Sequence, residues 1–206
     1  MQSSNLKSKN VKNAGITLVE LTVVLAIFMV IVGVMVGIFI SVVHQQRTIL
    51  KEQELLNQTS YLTDYLSRTI RMSRKGVSGN CLADGGVLHP GYIFLLTHYD
   101  SVSGFYQGLK LLTNNGVCQE IFLDDNGILK EIKDDGEAQN MLSSTFVVAY
   151  ARFIINGDKA LVGATQNDLV QPRVTFVFNV QTQENDVKKD HIIQSTVSQI
   201  NLNVSQ

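Results

Sequence analysis

One uninterrupted apolar stretch near the amino terminus constrains this chain more than any other feature. Residues 21–43 are Leu, Val, Ile, Phe, Met and Ala apart from two threonine or serine residues and two glycines, and none of them is charged. A helix needs about 20 apolar residues to cross the hydrocarbon core of a bilayer. The stretch therefore predicts a single transmembrane helix, which we place at residues 16–43.

The residues before this stretch do not form an ordinary secretory signal. Three lysines and no acidic residue precede Glu20. A secretory signal places a small-residue cleavage site after 7–15 apolar residues, whereas here the apolar stretch is longer and the small pair Ala14-Gly15 comes before it. Cleavage after Gly15 would leave the apolar helix on the mature chain. The lysines also predict a cytoplasmic amino terminus with the rest of the chain outside.

Glu20 places a carboxylate at the entrance to the predicted span. A charge at the centre of a membrane helix costs roughly 2.5–3.5 kcal/mol on insertion scales, so a chain that keeps one close to the span is expected to use it. Two interpretations of Glu20 remain open. Glu20 is either a helix N-terminal acid at the level of the lipid headgroups, favoured by the helix dipole, or a residue used in assembly.

The segment around Glu20 resembles the processing signal of type IV pilins and type II secretion pseudopilins. The resemblance rests on the basic leader ending in Gly15, the Thr17-Leu18-Val19-Glu20 run and the apolar continuation. It implies a leader peptide at residues 1–15, cleavage between Gly15 and Ile16, and N-methylation of Ile16. It also implies that the carboxylate of Glu20 pairs with the Ile16 amine of a neighbouring subunit, which lowers the cost of burying both charges. Pairing with the chain's own Ile16 amine is the alternative.

The same resemblance implies a set of partners. These are a prepilin peptidase that also methylates, other pilins or pseudopilins in a filament, an inner-membrane assembly platform and membrane lipid. Within the span, Gly33 and Gly37 have the small-xxx-small spacing that lets helices approach closely. They are equally compatible with two tolerated glycines or with local softening of the helix. Many major pilins carry a proline here, and this chain has none.

A helical pattern continues beyond the span. Residues 44–75 contain neither Pro nor Gly, and Leu55, Leu62, Leu66 and Ile70 recur at steps of seven, four and four. This is the apolar stripe of an amphipathic helix. We therefore predict one continuous helix over residues 16–73.

Two glycines and a basic cluster mark the predicted end of this helix. Gly76 and Gly79 follow four cations, which suit the last turn of a helix or, alternatively, an anionic partner; the cations are Arg68, Arg71, Arg74 and Lys75.

The rest of the chain, residues 76–206, is predicted to be a β-rich extracytoplasmic domain. Its apolar residues alternate with a period of two. The predicted strands are 92–98, 109–112, 117–123, 146–155, 173–180 and 191–203. The parity of the apolar residues changes between Val197 and Ile200, which predicts a bulge or a change of covering surface there. The fold class is therefore α+β, a long helix packed on an antiparallel sheet as in pilins.

Acidic turns separate some of these strands. Asp124-Asp125-Asn126-Gly127 predicts a hairpin turn, since Asn-Gly readily takes positive φ, and Asp134-Asp135-Gly136 predicts a second turn. Some pseudopilins bind calcium, but residues 124–131 lack the ligand spacing of an EF-hand loop. We predict plain turns and no metal site or cofactor.

Two cysteines, Cys81 and Cys118, lie in the predicted extracytoplasmic domain. An oxidising compartment would allow a disulfide between them, which would close a loop across the first strands. Two unpaired thiols are the alternative.

The composition argues against other functions. The net charge is −1, and without the three leader lysines 14 basic residues face 18 acidic ones, so nucleic-acid binding has no support. The four histidines lack metal-ligand spacing, and no catalytic motif is present, so we expect no enzyme.

The resemblance therefore predicts a structural filament subunit in the inner membrane, with its outer domain in a periplasmic or surface filament. The ending of the chain is most similar to J-type pseudopilins and W-type minor pilins, through Gln171-Pro172-Arg173-Val174 and Gln194-Ser195-Thr196-Val197-Ser198. The rival is a singly anchored binding or sensing domain that does not polymerise. A further alternative is a filament subunit that serves in adhesion or DNA uptake.

Overall fold

The computed structural model describes residues 15–76, 80–134, 136–157, 171–182 and 190–200. It has the α+β architecture expected from the sequence, one long N-terminal helix followed by an antiparallel sheet. The chain divides into two compact units, Met1–Glu52 and Gln53–Gln206. The helix, α1 (Leu18–Arg71), contributes to both units.

In the first unit, α1 is apolar on all sides from Leu21 to Val43. The described part of the chain has one helix that is long and apolar enough to cross a membrane. From Leu21 to Ile40 its large apolar side chains are between 36 and 69 % exposed, so none of the described residues of this unit covers them. Such a helix is either a membrane anchor or part of a signal.

In the second unit, α1 packs one stripe against the sheet. The predicted residues Leu55, Leu62, Leu66 and Ile70 are all buried in the main core, and Thr59 is buried between them. These positions lie on one face of a 3.6-residue helix. The apolar periodicity therefore identified the packed face correctly.

The helix ends at Arg71, five residues before Gly76. The amide of Met72 still bonds to the Arg68 carbonyl, at 3.0 Å. Beyond it the amide of Arg74 donates to the Leu112 carbonyl, at 2.8 Å, so the chain has already joined the sheet. The predicted end at residue 73 was two residues late, because this pairing competes with a further helical turn. Gly79 lies outside the described residues.

The strands form one eight-stranded sheet and one small hairpin. The sheet has the order β10-β9-β8-β4-β5-β6-β7, with β3 also paired to β4, and every pair is antiparallel. The hairpin is β1 with β2. The strands are β1 (Ala83–Asp84), β2 (Val87–Leu88), β3 (Phe94–Asp100), β4 (Phe105–Leu112), β5 (Cys118–Leu123), β6 (Leu129–Lys133), β7 (Gln139–Asn140), β8 (Phe146–Asn156), β9 (Arg173–Thr182) and β10 (Asp190–Ser198).

The core lies between α1 and one face of this sheet. In β9 the alternation predicted from the sequence holds, because Val174, Phe176, Phe178 and Val180 are all fully buried. The rings of Phe176 and Phe178 stack at 5.3 Å between centroids.

The turn between β5 and β6 is the predicted hairpin turn. Gly127 has φ 73° and donates its amide to the Asp124 carbonyl, at 3.0 Å. It also touches β8: its carbonyl accepts the Val148 amide at 2.8 Å, and a Cβ on Gly127 would lie 3.1 Å from the Val148 carbonyl oxygen. In the second predicted turn, Asp134 has φ 44°, and Asp135 lies outside the described residues.

The predicted irregularity near the end of the last strand was misplaced. β10 pairs with β9 in unbroken register through Ser198 and then ends. The change of parity therefore marks the end of the strand, and Ile200 beyond it is 62 % exposed. The observed register shift lies in β8, between Val148 and Tyr150, where a continuous apolar run gives no parity signal. Residues 201–203 of the predicted strand lie outside the described residues.

The segment after β10 returns to the end of α1. The side chain of Gln199 is buried and donates to the Ser73 carbonyl at 2.7 Å. The amide of Ile200 donates to the Arg71 carbonyl at 3.0 Å. These bonds satisfy carbonyl groups that a helix end leaves without an intrahelical partner.

Candidate functional site

The residues around the predicted cleavage point form the start of α1. Gly15 and Ile16 precede the helix, and Ile16 is 76 % exposed. A Cβ added to Gly15 would meet nothing within 4 Å. The peptide bond between them is therefore sterically accessible, whereas their processing roles stay predictions.

Glu20 and Thr17 form a reciprocal helix cap. The Glu20 amide donates to Thr17 Oγ1 at 3.3 Å, while the Thr17 amide donates to Glu20 Oε2 at 3.2 Å. The Thr17 hydroxyl donates to the same carboxylate oxygen at 3.2 Å. This is a capping box, which the spacing Thr-x-x-Glu encodes. The charge of Glu20 alone did not predict this pairing, although the Thr-x-x-Glu signal is present in the sequence.

The cap gives Glu20 a partner within its own chain. A capping interaction of this kind stabilises a helix by about 1 kcal/mol. Because both residues are exposed, the hydrogen bonds compete with water and are easily exchanged. The carboxylate is therefore oriented at the helix N-terminus and held only weakly by Thr17.

The two span glycines face open space. A Cβ at Gly33 or at Gly37 would meet nothing within 4 Å. Both positions therefore stay available for close approach by another helix, but the structure brings no second helix to them. Their packing role remains a prediction.

A polar network that was not predicted from the sequence joins α1 to the sheet. The Tyr65 hydroxyl and the Gln119 side-chain amide both donate to Glu131 Oε1, and Gln119 also donates to the Tyr65 oxygen at 3.1 Å. Lys133 Nζ lies 3.0 Å from Glu131 Oε2. Glu131 and Gln119 are buried. A signal existed, because Glu131 shares its strand face with the buried Leu129.

The pKa values in this network shift as a buried carboxylate requires. Burial is the main cause that raises the pKa of Tyr65, and the hydrogen bond to Glu131 adds to it. The pKa of Lys133 is raised mainly by its hydrogen bond to Glu131. The network thus holds a neutral phenol and a charged ammonium on one carboxylate, and we find no feature in it that binds substrate.

The two cysteines are joined in a disulfide. Cys81 and Cys118 have their Cα atoms 5.4 Å apart and are separated by 37 positions in the sequence. The bond ties the segment that follows α1 to the first residue of β5. A disulfide is typical of a domain outside the cytoplasm, in agreement with the predicted orientation.

Two of the basic residues near the helix end have different surroundings. Arg68 pairs with Asp64 at 3.0 Å on the exposed side of α1. Arg74 lies beside the loop before β5, where a Cβ on Gly116 would come within 2.6 Å of its Nη2. Arg68 and Arg74 therefore do not act together as one site.

The acidic turn considered for calcium is occupied by the protein's own donors. Asp124 Oδ2 lies 2.7 Å from Lys130 Nζ, and Asp124 Oδ1 accepts the amides of Asn126 and Ile128 at 3.0 and 2.7 Å. Burial alone would raise the pKa of Asp124, but Lys130 and these amides together bring it below its ordinary value. Across the described ranges, no group of three His, Cys, Asp or Glu residues is arranged to hold a metal ion.

These features define a pilin-like architecture: a long apolar N-terminal helix whose second half packs on an antiparallel sheet. No family model, curated protein or solved structure matches this chain.

Proposed function

We propose that this chain is a minor pilin or pseudopilin, a structural subunit of a type IV pilus or type II secretion-like filament. The observation that carries the proposal is the combination of Glu20 at the start of an uncovered apolar helix with a sheet packed on the second half of that helix. An uncovered apolar helix needs lipid or other helices around it. For a filament subunit, the membrane supplies lipid before assembly, and the filament supplies neighbouring helices afterwards.

The proposed maturation begins at the inner membrane. A prepilin peptidase cuts between Gly15 and Ile16, removes the basic leader and methylates the new amine. The methylated amine keeps its charge. In the filament it pairs with Glu20 of a neighbouring subunit, which replaces the weak bonds from Thr17 and keeps both charges compensated in an apolar core.

The proposed role is non-enzymatic and located at the tip or in the priming complex. The absence of a proline from the span and the J- or W-like ending support a minor subunit over a major one. The partners are then the peptidase, other pilins or pseudopilins, the assembly platform and lipid. The disulfide supports a periplasmic or surface location for the second unit.

Replacing Glu20 tests this proposal against a singly anchored receptor. We expect Glu20→Ala to insert in the membrane at the normal level but to lose incorporation into filaments at least tenfold, because the neighbour's amine then lacks a partner. Sheared filaments and membranes are compared by immunoblot. Thr17→Val is the matched control, since it removes the two hydroxyl bonds of the cap but keeps the carboxylate, and it should still be incorporated.

Mass spectrometry of the mature chain provides the independent check. A chain that begins at methylated Ile16 supports the proposal. Normal incorporation of Glu20→Ala, or a membrane protein that retains Met1, would contradict it.

A further inference from the structure

The sequence contains three Asn-Gly steps, and their glycine amides have different surroundings in the structure. The steps are Asn115-Gly116, Asn126-Gly127 and Asn156-Gly157, and all three asparagines are exposed. Asparagine is among the chemically less stable side chains of proteins. Glycine has no side chain to shield its backbone nitrogen, so this nitrogen can attack the side-chain amide of the preceding asparagine. Whether it does so depends on how firmly each glycine amide is held.

The glycine amides of the first two steps are closed into turns. The Gly116 amide donates to the Thr113 carbonyl at 3.0 Å, and the Gly127 amide donates to the Asp124 carbonyl at 3.0 Å. Both glycines are also packed, because an added Cβ would lie 2.6 Å from the side chain of Arg74 at Gly116 and 3.1 Å from the backbone of β8 at Gly127. Rotation of either peptide plane therefore breaks a hydrogen bond and disturbs a neighbour.

The amide of Gly157 is held less firmly. Gly157 follows Asn156, which is the last residue of β8, and within the described ranges no acceptor is bonded to the Gly157 amide. Asn156 is opposite Arg173 in the final pair of the β8–β9 ladder. The ends of elements open locally at lower free energies than their centres. The Asn156-Gly157 step can therefore rotate once this end pair has opened.

We propose that Asn156 is a site of spontaneous deamidation, at which its side-chain amide is converted to a carboxylate. Base removes the proton of the Gly157 amide, and the nitrogen attacks Cγ of Asn156. A C–N bond forms, the bond to the side-chain nitrogen breaks, and ammonia leaves with a proton from water. Water then opens the five-membered imide at either carbonyl group, which yields aspartate or isoaspartate. Water is the only co-reactant.

The reaction changes the end of the β8–β9 ladder. Directly opposite residues of an antiparallel pair lie on the same face with their Cβ atoms close together. An aspartate at position 156 therefore faces the cation of Arg173 and attracts it. An isoaspartate adds a methylene group to the main chain and displaces this pair. Either product adds one negative charge to the second unit, whether or not the chain polymerises.

Prolonged incubation of the full-length chain in detergent at mildly alkaline pH tests this assignment. After digestion, mass spectrometry measures the exchange of NH₂ for OH at each of the three asparagines. We expect the converted fraction at Asn156 to rise at least fivefold faster than at Asn115 or Asn126, about the factor that one hydrogen bond of ordinary strength supplies. The control is the same chain unfolded in guanidinium chloride with its disulfide reduced, in which the three sites should react at similar rates.

Variants test whether the turn hydrogen bonds cause the difference. Asn156→Gln should abolish the product at position 156 and leave the other two sites unchanged, since the longer side chain must close a larger ring. Asp124→Ala removes the carboxylate that accepts the amides of Asn126 and Ile128, and the loosened turn should raise the rate at Asn126 at least threefold. Asp125→Ala, at an exposed position of the same turn, should not. Thermal unfolding shows that each variant is folded.

A rate at Asn156 that does not exceed the rates at Asn115 and Asn126 in the folded chain overturns the proposal. So does an Asn156 that stays intact in the folded chain while the unfolded chain reacts. An unchanged rate at Asn126 in folded Asp124→Ala contradicts it as well, because the turn bonds then give no protection. These measurements need no filament, so this inference and the proposed function fail separately.

Discussion

At the scale of single residues, several buried polar side chains in this protein have specific partners. Glu131 is the clearest case. Its carboxylate accepts hydrogen bonds from Tyr65 and Gln119 and forms an ion pair with Lys133. A buried carboxylate that loses a donor retains the cost of its desolvation. Substitutions at such positions should therefore lower the free energy of unfolding by more than their small changes in side-chain volume suggest.

Removing the Tyr65 hydroxyl should destabilise the chain. We expect Tyr65→Phe to lower the free energy of unfolding by about 1–3 kcal/mol, since Glu131 loses a buried donor. Denaturant unfolding of the full chain in detergent measures this. Tyr61→Phe is the matched control, because that ring is 68 % exposed, and it should change the stability little. Equal effects of the two substitutions would disprove a specific role for the network.

Acid should weaken the β5–β6 turn through Asp124. The pKa of Asp124 is lower in the folded chain than its ordinary value, so its contribution is complete above the unfolded value of about 3.9 and is lost as the pH falls through the folded value. We expect the melting temperature to drop below about pH 4, and to drop less in Asp124→Asn. Asp125→Asn, at an exposed position of the same turn, should keep the wild-type profile. A wild-type acid profile in Asp124→Asn would exclude this role.

At the scale of elements, two glycine turns allow the cost of backbone strain to be distinguished from the cost of a packing contact. Gly104 and Gly127 both have φ 73°. An added Cβ would meet open space at Gly104 but would lie 3.1 Å from the Val148 carbonyl oxygen at Gly127. The two positions therefore share a conformation and differ in contact with a neighbouring strand.

Alanine at these two turns should have unequal costs. Gly104→Ala should lower the free energy of unfolding by about 1–2 kcal/mol, the cost of the left-handed conformation for an L-residue. Gly127→Ala should cost clearly more, because β8 cannot move away without losing its bond from Val148. Denaturant unfolding compares them. Equal losses would show that the contact with β8 is unimportant.

At the scale of the whole molecule, the disulfide is the main covalent constraint on the second unit. It closes a loop with a sequence separation of 37, for which chain entropy predicts a stabilisation of about 3–4 kcal/mol. We expect the double variant Cys81→Ser, Cys118→Ser to lose this amount in denaturant unfolding. Reduction with dithiothreitol should lower the stability of the wild-type chain similarly and leave that of the double variant unchanged. A wild-type chain insensitive to reduction would argue against the constraint.

Much of the fold was predictable because it depends on local patterns. The stripe from Leu55 to Ile70, the alternation in β9 and the Asn126-Gly127 turn follow from periods of 3.6 and two and from the conformational freedom of glycine. The polar network and the bulge at Val148 were not predicted, because each depends on residues distant in sequence. The alternation of β6 shows that Glu131 lies on the same strand face as Leu129. No local pattern, however, identifies Tyr65 as its partner.

The predicted assembly residues differ in kind from these. Gly15, Ile16 and Glu20 were selected by resemblance, and a single chain brings no second subunit to them. The Thr-x-x-Glu spacing of the cap between Thr17 and Glu20 was present in the sequence. The cap forms within one chain and involves no second subunit.

The bond between Gln199 and the end of α1 has a consequence for the order of folding. It joins residues 126 positions apart, so the end of the helix cannot be closed until nearly the whole chain has been synthesised. Contacts of such separation form slowly, since a large loop must close first. The apolar start of α1 emerges early and the contacts that secure its other end form last. The second half of α1 therefore lacks part of its final packing until residue 199 has been added to the chain.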